Sequence, residues 1–106
     1  MRVCLTPVDP EYALGRPCVT RDANGYRMWY SIRSNAGPYR IGYAESRDGF
    51  SWTRQDAGEH VIQAAASGWD SEMVCYPFVI ERDRRRLLFY NGNRHGATGF
   101  GVAEWQ

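Results

Sequence analysis

The sequence predicts an all-β chain of two four-stranded antiparallel blades of the propeller type, a half-propeller that self-association would complete. Three observations support this prediction. Three segments recur in the same order about 60 residues later, each has the composition of a short strand, and the middle strands are apolar on both faces. A sandwich of two open sheets would explain the double burial, but it would not explain the repeat.

The repeat is visible when the segments are paired. The matched pairs are Pro17–Arg21 with Pro77–Glu81, Tyr26–Tyr30 with Arg86–Tyr90, and Ile41–Glu45 with Phe100–Glu104. The offset is 60 residues for the first two pairs and 59 for the third. Three matches in one order at one spacing indicate two copies of one structural unit.

The first blade, residues 15–56, is predicted to contain four strands. Asn24–Gly25 provides a tight hairpin turn, because both residue types tolerate the positive φ angles that such turns require. Asp48–Gly49 provides a second turn, which leads into a short outer strand at Ser51–Thr53. We expect the Trp52 side chain to hold this second turn in place.

The middle strand of this blade is apolar on both faces. Met28 and Tyr30 share one face, while Trp29 lies on the other. A sheet with one solvated face would alternate more cleanly, so both faces are expected to be covered. We expect Trp29 to fill the space between the blades, and Gly42, Gly99 and Gly101 to mark places where another backbone comes close.

The second blade, residues 77–106, ends before an outer strand. The N-terminal arm, residues 1–14, contains a predicted unpaired strand at Arg2–Leu5, which could supply the missing strand within the chain or to a neighbouring subunit. The connector, residues 57–76, is ambiguous because Ala64–Ala66 could make a helical turn; extended or irregular structure is the preferred interpretation. The whole chain is expected to form one domain.

Composition and charge exclude several function classes. The 13 basic residues are all arginine and face 12 acidic residues, a formal net charge of +1, so nucleic acid is not an expected partner. An odd number of cysteines, Cys4, Cys18 and Cys75, argues against a disulfide framework and a zinc site. No segment resembles a signal peptide or a membrane span. We therefore expect a cytoplasmic protein with no membrane partner, no metal and no cofactor.

Six stretches, taken in order, carry a resemblance to a known group. They are Gly15–Pro17, Met28–Ser31, Ile41–Ser46, Asp48–Trp52, Gly68–Met73 and Phe89–Asn93. This series resembles the five-bladed β-propeller glycosidases, which include arabinanases, xylosidases, levansucrases and invertases. The resemblance implies a two-blade fragment of such a propeller and a carbohydrate ligand. It also implies carboxylates around a central funnel, although Arg16–Pro17 lacks the aspartate that the group carries between an arginine and a proline.

The candidate catalytic residues are Glu72 and Asp70. By its resemblance to the group, Glu72 lies near the position of the catalytic acid, just before the inner strand of the second blade. Hydrolysis needs two carboxyl groups about 5 to 9.5 Å apart on opposite sides of the bond. The alternative is that Asp70 and Ser71 cap a turn while Glu72 pairs with an arginine.

The candidate ligand-binding residues are Arg16, Trp69, Tyr76, Asn91, Asn93 and His95. Arg16 could hold a carboxylate or a sugar hydroxyl, or it could form a buried ion pair with Glu72. Trp69 could stack on a sugar, and Tyr76 could line a funnel or only pack. The two asparagines and His95 suit hydroxyl recognition, although a lone histidine in a glycine-rich loop is often only exposed to solvent.

Three functions remain open on these grounds. The leading one is a homo-oligomeric half-propeller module, a dimer or larger, that binds a carbohydrate or a similar polyol. The second is a glycoside hydrolase whose active site is composed between subunits, with Glu72 as acid and a second carboxylate such as Asp70 or Asp22 from another copy. The third is a fold remnant without activity, which would form a stable oligomer with its site plugged by an Arg16–Glu72 ion pair.

Overall fold

Two antiparallel sheets contain all the strands of the computed structural model, which describes residues 1–105. The first sheet contains β1 (Glu11–Asp22), β2 (Gly25–Ser34), β3 (Gly37–Ser46) and β4 (Thr53–Arg54), in that order. The second sheet contains β5 (Cys75–Arg82), β6 (Arg85–Asn91) and β7 (Phe100–Trp105), in that order, with the single turn α1 (Asn93–Gly96) between β6 and β7. The predicted all-β antiparallel fold is confirmed, with sheets of four and three strands. Gln106, the last residue of the predicted second blade, lies outside the described residues.

The turns of the first sheet form as their residues predict. The backbone N–H of Asn24 donates to Oδ1 of Asp22 at 2.8 Å, which closes the β1–β2 hairpin. The Asp48 carboxylate accepts backbone N–H groups two and three residues further on, at 2.8 and 2.9 Å. Nε1 of Trp52 donates to the carbonyl of Gly49 at 3.1 Å, so the predicted role of this tryptophan at the turn is confirmed.

The main hydrophobic core lies between the two sheets. Trp29 and Tyr43 of the first sheet are fully buried and pack with Val79, Leu88 and Tyr90 of the second sheet. Side chains directly opposite each other on neighbouring antiparallel strands share a face, so these residues form the facing surfaces of the two sheets. The predicted position of Trp29 is therefore confirmed.

Two glycines at matching positions of the repeat pack closely against an aromatic ring. A Cβ atom on Gly42 would lie 2.6 Å from ring atoms of Tyr30, and a Cβ atom on Gly101 would lie 2.6 Å from ring atoms of Trp69. Both distances are far shorter than van der Waals contact, so only glycine fits at either position without a shift. A close approach therefore occurs at Gly42 and Gly101, but the predicted neighbour is wrong, because a side-chain ring rather than a backbone lies against each. At Gly99 the prediction is wrong altogether, because a Cβ atom there would meet nothing within 4 Å.

The N-terminal arm covers the outer face of the first sheet. Leu5 packs against a cluster that includes Met28 and Ile32. The predicted strand at Arg2–Leu5 is wrong, because residues 1–8 contain no strand and β1 instead begins at Glu11. Two prolines in the arm lack the backbone N–H that a ladder needs, and the arm is anchored by side-chain contacts instead.

The connector between the sheets is irregular, as preferred from the sequence. It has turns and bends but no helix at Ala64–Ala66. The backbone N–H of Ala65 donates to the carbonyl of Asp70 at 3.0 Å, and that of Val74 donates to the carbonyl of Tyr39 at 3.4 Å. The first bond closes a loop within the connector, and the second fixes its end beside the start of β3.

The outer face of the second sheet is apolar and uncovered. Phe78 and Ile80 of β5 are 61% and 39% exposed, and Phe100 and Val102 of β7 are 77% and 51% exposed. Val102 and Phe78 both lie opposite Phe89 of β6, so the exposed residues form one continuous face. We call these four exposed residues the bare face.

Candidate functional site

Both inner strands carry a bulge at the same point of the repeat. The register shifts between residues 15 and 18 of β1 and between residues 75 and 78 of β5. Within these bulges Arg16 and Tyr76, which are 60 residues apart, adopt φ angles of 52° and 57°. A left-handed conformation costs about 1 kcal/mol or more for a residue with a side chain, and such residues cluster at functional sites.

The two bulges bring an arginine onto an aromatic ring. Cζ of Arg16 lies 5.2 Å from the centroid of Tyr76, and the Tyr76 ring lies edge-on to Tyr39 at 5.9 Å. His95 stands edge-on to Tyr39 at 4.5 Å and stacks on Tyr76 at 6.1 Å. Cζ of Arg33 lies 5.4 Å from the Tyr39 centroid. We call these five residues the arginine–aromatic cluster.

The two arginines of this cluster have no carboxylate partner in the part of the chain that the structure describes. Arg16 and Arg33 are exposed, and neither forms an ion pair within residues 1–105. The alternative Arg16–Glu72 ion pair is not formed among these residues, because the guanidinium packs on the Tyr76 ring instead. Burial and the neighbouring Tyr39 raise the pKa of Tyr76, so its hydroxyl stays protonated at neutral pH.

The turn α1 places His95 in the cluster. Arg94 and His95 both have left-handed backbones, with φ angles of 53° and 57°. The backbone N–H of His95 donates to Sδ of Met73 at 3.4 Å, and Nδ2 of Asn91 donates to the His95 carbonyl at 3.1 Å. The Asn91 amide therefore supports the turn that carries the histidine.

Asn93 fixes the segment that leads into β5. Its Oδ1 accepts the backbone N–H groups of Glu72 and Met73 at 2.7 and 3.1 Å, and its Nδ2 donates to the Gly68 carbonyl at 3.1 Å. Its own backbone N–H donates to the Trp69 carbonyl at 2.8 Å. The side chain is buried, so these bonds are shielded from water and form a rigid support, which we call the Asn93 clamp.

The Asn93 clamp presents Glu72 at the rim of a cleft. The cleft has a volume of about 420 Å³ and is lined by Tyr39, Arg40 and Gln63 together with Glu72. The glutamate is exposed and forms no ion pair with the residues that the structure describes, so the alternative of an arginine partner is not seen there. Tyr39 lines this cleft and also belongs to the arginine–aromatic cluster, so the two features adjoin.

Trp69 and Asp70 lie in the packing of the second sheet. Trp69 stacks on Tyr90 with centroids 5.3 Å apart, and the Tyr90 hydroxyl donates to Oδ2 of Asp70 at 2.8 Å. Burial and this hydrogen bond raise the pKa of Tyr90 to about 12. The first sheet repeats the contact, because the Tyr30 hydroxyl donates to Oδ1 of Asp56 at 2.7 Å. Because the same tyrosine–aspartate hydrogen bond occurs in both sheets, we interpret the contact of Asp70 with Tyr90 as part of the packing of the fold.

The structure brings some predicted site residues together and separates others. Arg16, Tyr76 and His95 form one cluster with Glu72 beside it, while Trp69, Asp70, Asn91 and Asn93 make supporting contacts. Sequence reasoning missed Arg33 and Tyr39. The period-two pattern could have found both, because Trp29, Ser31 and Arg33 share one face of β2 and Tyr39, Ile41 and Tyr43 share one face of β3.

Metal-binding clusters and membrane-spanning helices are both absent from the described part of the chain. Residues 1–105 contain no group of three or more histidine, cysteine, aspartate or glutamate side chains that could hold a metal ion. None of the helices in these same residues is long and apolar enough to cross a membrane.

Comparisons with known proteins give relatives and a shared fold. No protein-family model matches the chain. It is 44% identical over 88 residues to "Uncharacterized protein MT1551" of Mycobacterium tuberculosis (strain CDC 1551 / Oshkosh). The matched region covers 83% of this chain and 28% of that protein. It is 43% identical over 88 residues to "Uncharacterized protein Rv1502" of another strain of that organism, with the same coverage. The chain thus spans about 28% of the length of these curated relatives.

Two solved structures share the architecture. One is a glycoside hydrolase, which superposes with a TM-score of 0.70 at 20% identity, covering 95% of this chain and 31% of that one. The other is a complex of BT0996 with RGII, which superposes with a TM-score of 0.64 at 22% identity, covering 93% of this chain and 30% of that one. The chain therefore has a glycosidase-like fold and corresponds to about a third of each structure.

Proposed function

We propose that the chain is a two-blade propeller fragment that self-associates and binds a carbohydrate or similar polyol beside the arginine–aromatic cluster. One observation carries the proposal. Exposed arginine and histidine side chains come together where the bulges of the two inner strands meet, and Tyr39 joins them to a cleft that Glu72 lines, on a fold shared with a glycoside hydrolase structure.

The chemistry of these side chains suits hydroxyl groups. A carboxylate such as Glu72 accepts hydrogen bonds from sugar hydroxyls, and a guanidinium such as that of Arg16 donates to them. The Arg16 side chain is held in advance by its ring contact, and the Asn93 clamp holds the backbone from which the Glu72 side chain extends. Groups that are fixed before binding lose less conformational entropy when a ligand arrives.

A glycan array tests the binding proposal. The wild-type chain should bind at least one class of glycan, and the double variant Arg16→Gln/Glu72→Gln should lose that signal. Glu59→Gln is the control, because this glutamate side chain is 89% exposed and does not line the cleft. Equal binding by the wild type and the double variant would contradict the proposed site.

Self-association is proposed from the bare face. The arm covers the outer face of the first sheet, whereas the four apolar side chains of the bare face meet solvent. A second copy presents the same face, and two identical apolar faces can bury each other across a two-fold axis. We therefore propose a second copy as its occupant.

Light scattering on a size-exclusion column should show a dimer or larger species of the wild-type chain. Phe78→Glu or Phe100→Glu should shift the molar mass to the monomer, because a carboxylate would be buried without a partner in the bare face. Phe50→Glu is the matched control, a phenylalanine that is 56% exposed but lies in a turn of the first sheet. A wild-type monomer at every concentration would overturn this part of the proposal.

A second candidate function, a glycoside hydrolase composed between subunits, is favoured by the position of Glu72. This glutamate is exposed and fixed at a cleft. Its neighbour Asp70 is bonded to Tyr90, so a second carboxylate would come from another copy. Asp22 of that other copy is the residue expected to supply this second carboxylate. Nε of Arg27 lies 2.8 Å from Oδ2 of Asp22 and lowers the pKa of Asp22, which keeps the carboxylate ionised as a base or nucleophile must be.

Hydrolysis of aryl glycosides tests this candidate. Glu72→Gln should lower kcat by about 100-fold or more, because general acid catalysis contributes at least that factor. Glu59→Gln should leave the rate unchanged. A wild-type chain without turnover on any aryl glycoside would overturn the hydrolase and leave binding. A stable oligomer without affinity for any glycan would instead support the fold remnant, whose expected Arg16–Glu72 plug is not formed among residues 1–105.

A further inference from the structure

The arginine–aromatic cluster combines fixed positive charge with hydrogen-bond donors that the protein does not use. The Arg16 guanidinium lies over the Tyr76 ring and has no hydrogen-bond acceptor among residues 1–105. A contact with an aromatic face occupies the flat side of a guanidinium and leaves its in-plane N–H groups available. The bulge at Arg16 stores backbone strain, with φ at 52°, to place the side chain there.

Six arginines of the two sheets are paired with carboxylates among residues 1–105, and five arginines outside the cluster are not. The paired ones are Arg27, Arg40, Arg54, Arg82, Arg85 and Arg86, and the unpaired ones are Arg2, Arg21, Arg47, Arg84 and Arg94. At the cluster, Arg16 and Arg33 have no such partner in the described residues, and Arg94 next to His95 is exposed. The carboxylate of the adjoining cleft rim, Glu72, is one negative charge against the two guanidinium groups that lie on the cluster rings, those of Arg16 and Arg33. A neutral ligand would leave this positive excess unmatched.

From this imbalance we infer that the sugar bound at the proposed site carries an oxyanion, either a carboxylate or a phosphate, and that Arg16 binds it. The inference rests on the proposed carbohydrate function and adds the class of sugar. A carboxylate or phosphate accepts two parallel N–H bonds from one guanidinium, which a single hydroxyl does not. Arg33, on the neighbouring ring of Tyr39, adds a second positive charge.

Titration of the isotope-labelled chain by NMR tests the inference with sugars that differ in one group. The probes are D-galacturonate against D-galactose, D-glucuronate against D-glucose, and D-glucose 6-phosphate against D-glucose. At least one anionic probe should bind about tenfold or more tightly than its neutral partner, as a charge-assisted hydrogen bond allows. Comparison of the uronates with the sugar phosphate shows whether the bound oxyanion is a carboxylate or a phosphate. The largest chemical-shift changes should fall on the backbone amides of Arg16, Tyr76 and His95.

A matched pair of variants tests the role of Arg16. Arg16→Gln should weaken the anionic sugar about tenfold and leave a neutral sugar within about twofold. Arg21→Gln should change neither, although Arg21 lies on the same strand and its Cζ also lies over a tyrosine ring, 5.7 Å from the Tyr26 centroid. The fold of each variant is checked by the dispersion of its amide spectrum, and Arg16→Lys keeps the charge if Arg16→Gln unfolds.

The outcomes separate this inference from the function on which it rests. Equal affinity for anionic and neutral sugars would overturn the inference and leave carbohydrate binding in place. Shifts from acetate as large as those from the uronates would overturn it as well, since no sugar would then be recognised. Absence of shifts with every sugar up to about 50 mM would overturn both the inference and the proposed binding function.

Discussion

Replacing Glu11 with glutamine should lower the free energy of unfolding by about 2 to 3 kcal/mol at neutral pH. Its carboxylate accepts bonds from both terminal nitrogens of Arg54 at 2.8 and 2.7 Å, from Arg40 at 3.0 Å and from the backbone N–H of Val8 at 3.0 Å. The side chain is only 6% exposed, so solvent screens these bonds little. They join the arm to β1, β3 and β4 at one point.

The same contacts make this stabilisation depend on pH. Hydrogen bonds from Arg54 lower the pKa of Glu11 from 4.5 to about 2 in the folded chain. A carboxyl group whose pKa is lower when folded stabilises the fold above the unfolded value and loses that effect as pH falls through the folded one. The contribution should be present above pH 4.5 and be lost between pH 4.5 and about 2. Wild type and Glu11→Gln should therefore converge in stability as the solution is acidified.

Chemical unfolding followed by tryptophan fluorescence measures both effects. Glu104→Gln is the matched control, because Glu104 also accepts two bonds from one arginine, Arg85, at 2.7 and 2.9 Å. These side chains are 34% and 59% exposed, so that substitution should cost less than about 1 kcal/mol. Equal losses for the two variants, or a difference from wild type that does not shrink on acidification, would show that Glu11 does not act through its buried carboxylate.

The strands and the shared core could be predicted because local chemistry determines them. Period-two alternation predicted Trp29 and Met28 on opposite faces of β2. In the structure the face of Trp29 lies between the two sheets, and that of Met28 lies on the other side. Gly42 and Gly101 were expected to allow close approach, and rings of Tyr30 and Trp69 lie against them. In each of these cases the residue type alone restricts what its surroundings can be.

The geometry of the candidate site could not be predicted in the same way. Arg16 and Tyr76 adopt left-handed backbones although neither is a glycine, and no local preference favours that conformation. The surrounding strands impose it through the matching bulges of β1 and β5. The strand predicted in the arm was wrong for a related reason, because packing holds Leu5 and the Glu11 side chain holds the backbone N–H of Val8, where a strand would need a ladder of backbone bonds.

The largest effect expected within the site itself is that of Asn93→Leu, which should destabilise the fold by about 2 to 4 kcal/mol. Leucine has a similar volume but no polar atoms. The N–H groups of Glu72 and Met73 would lose their acceptor, and the Gly68 carbonyl would lose its donor. A buried donor without a partner costs more than the bond contributed. Asn91→Ala is the control, since the Asn91 side chain donates only one hydrogen bond, to the His95 carbonyl.

Hydrogen exchange separates the Asn93 clamp from a general loss of packing. In Asn93→Leu the amides of Glu72 and Met73 should exchange faster than the β6 amides do, because these two donate to Oδ1 of residue 93. Asn93→Asp keeps an acceptor and should restore part of their protection, while the bond to Gly68 stays lost. Uniformly faster exchange across β6 and these amides would mean that Asn93 only stabilises the fold. A selective effect, together with weaker glycan binding, would mean that Asn93 is a positioning residue for Glu72.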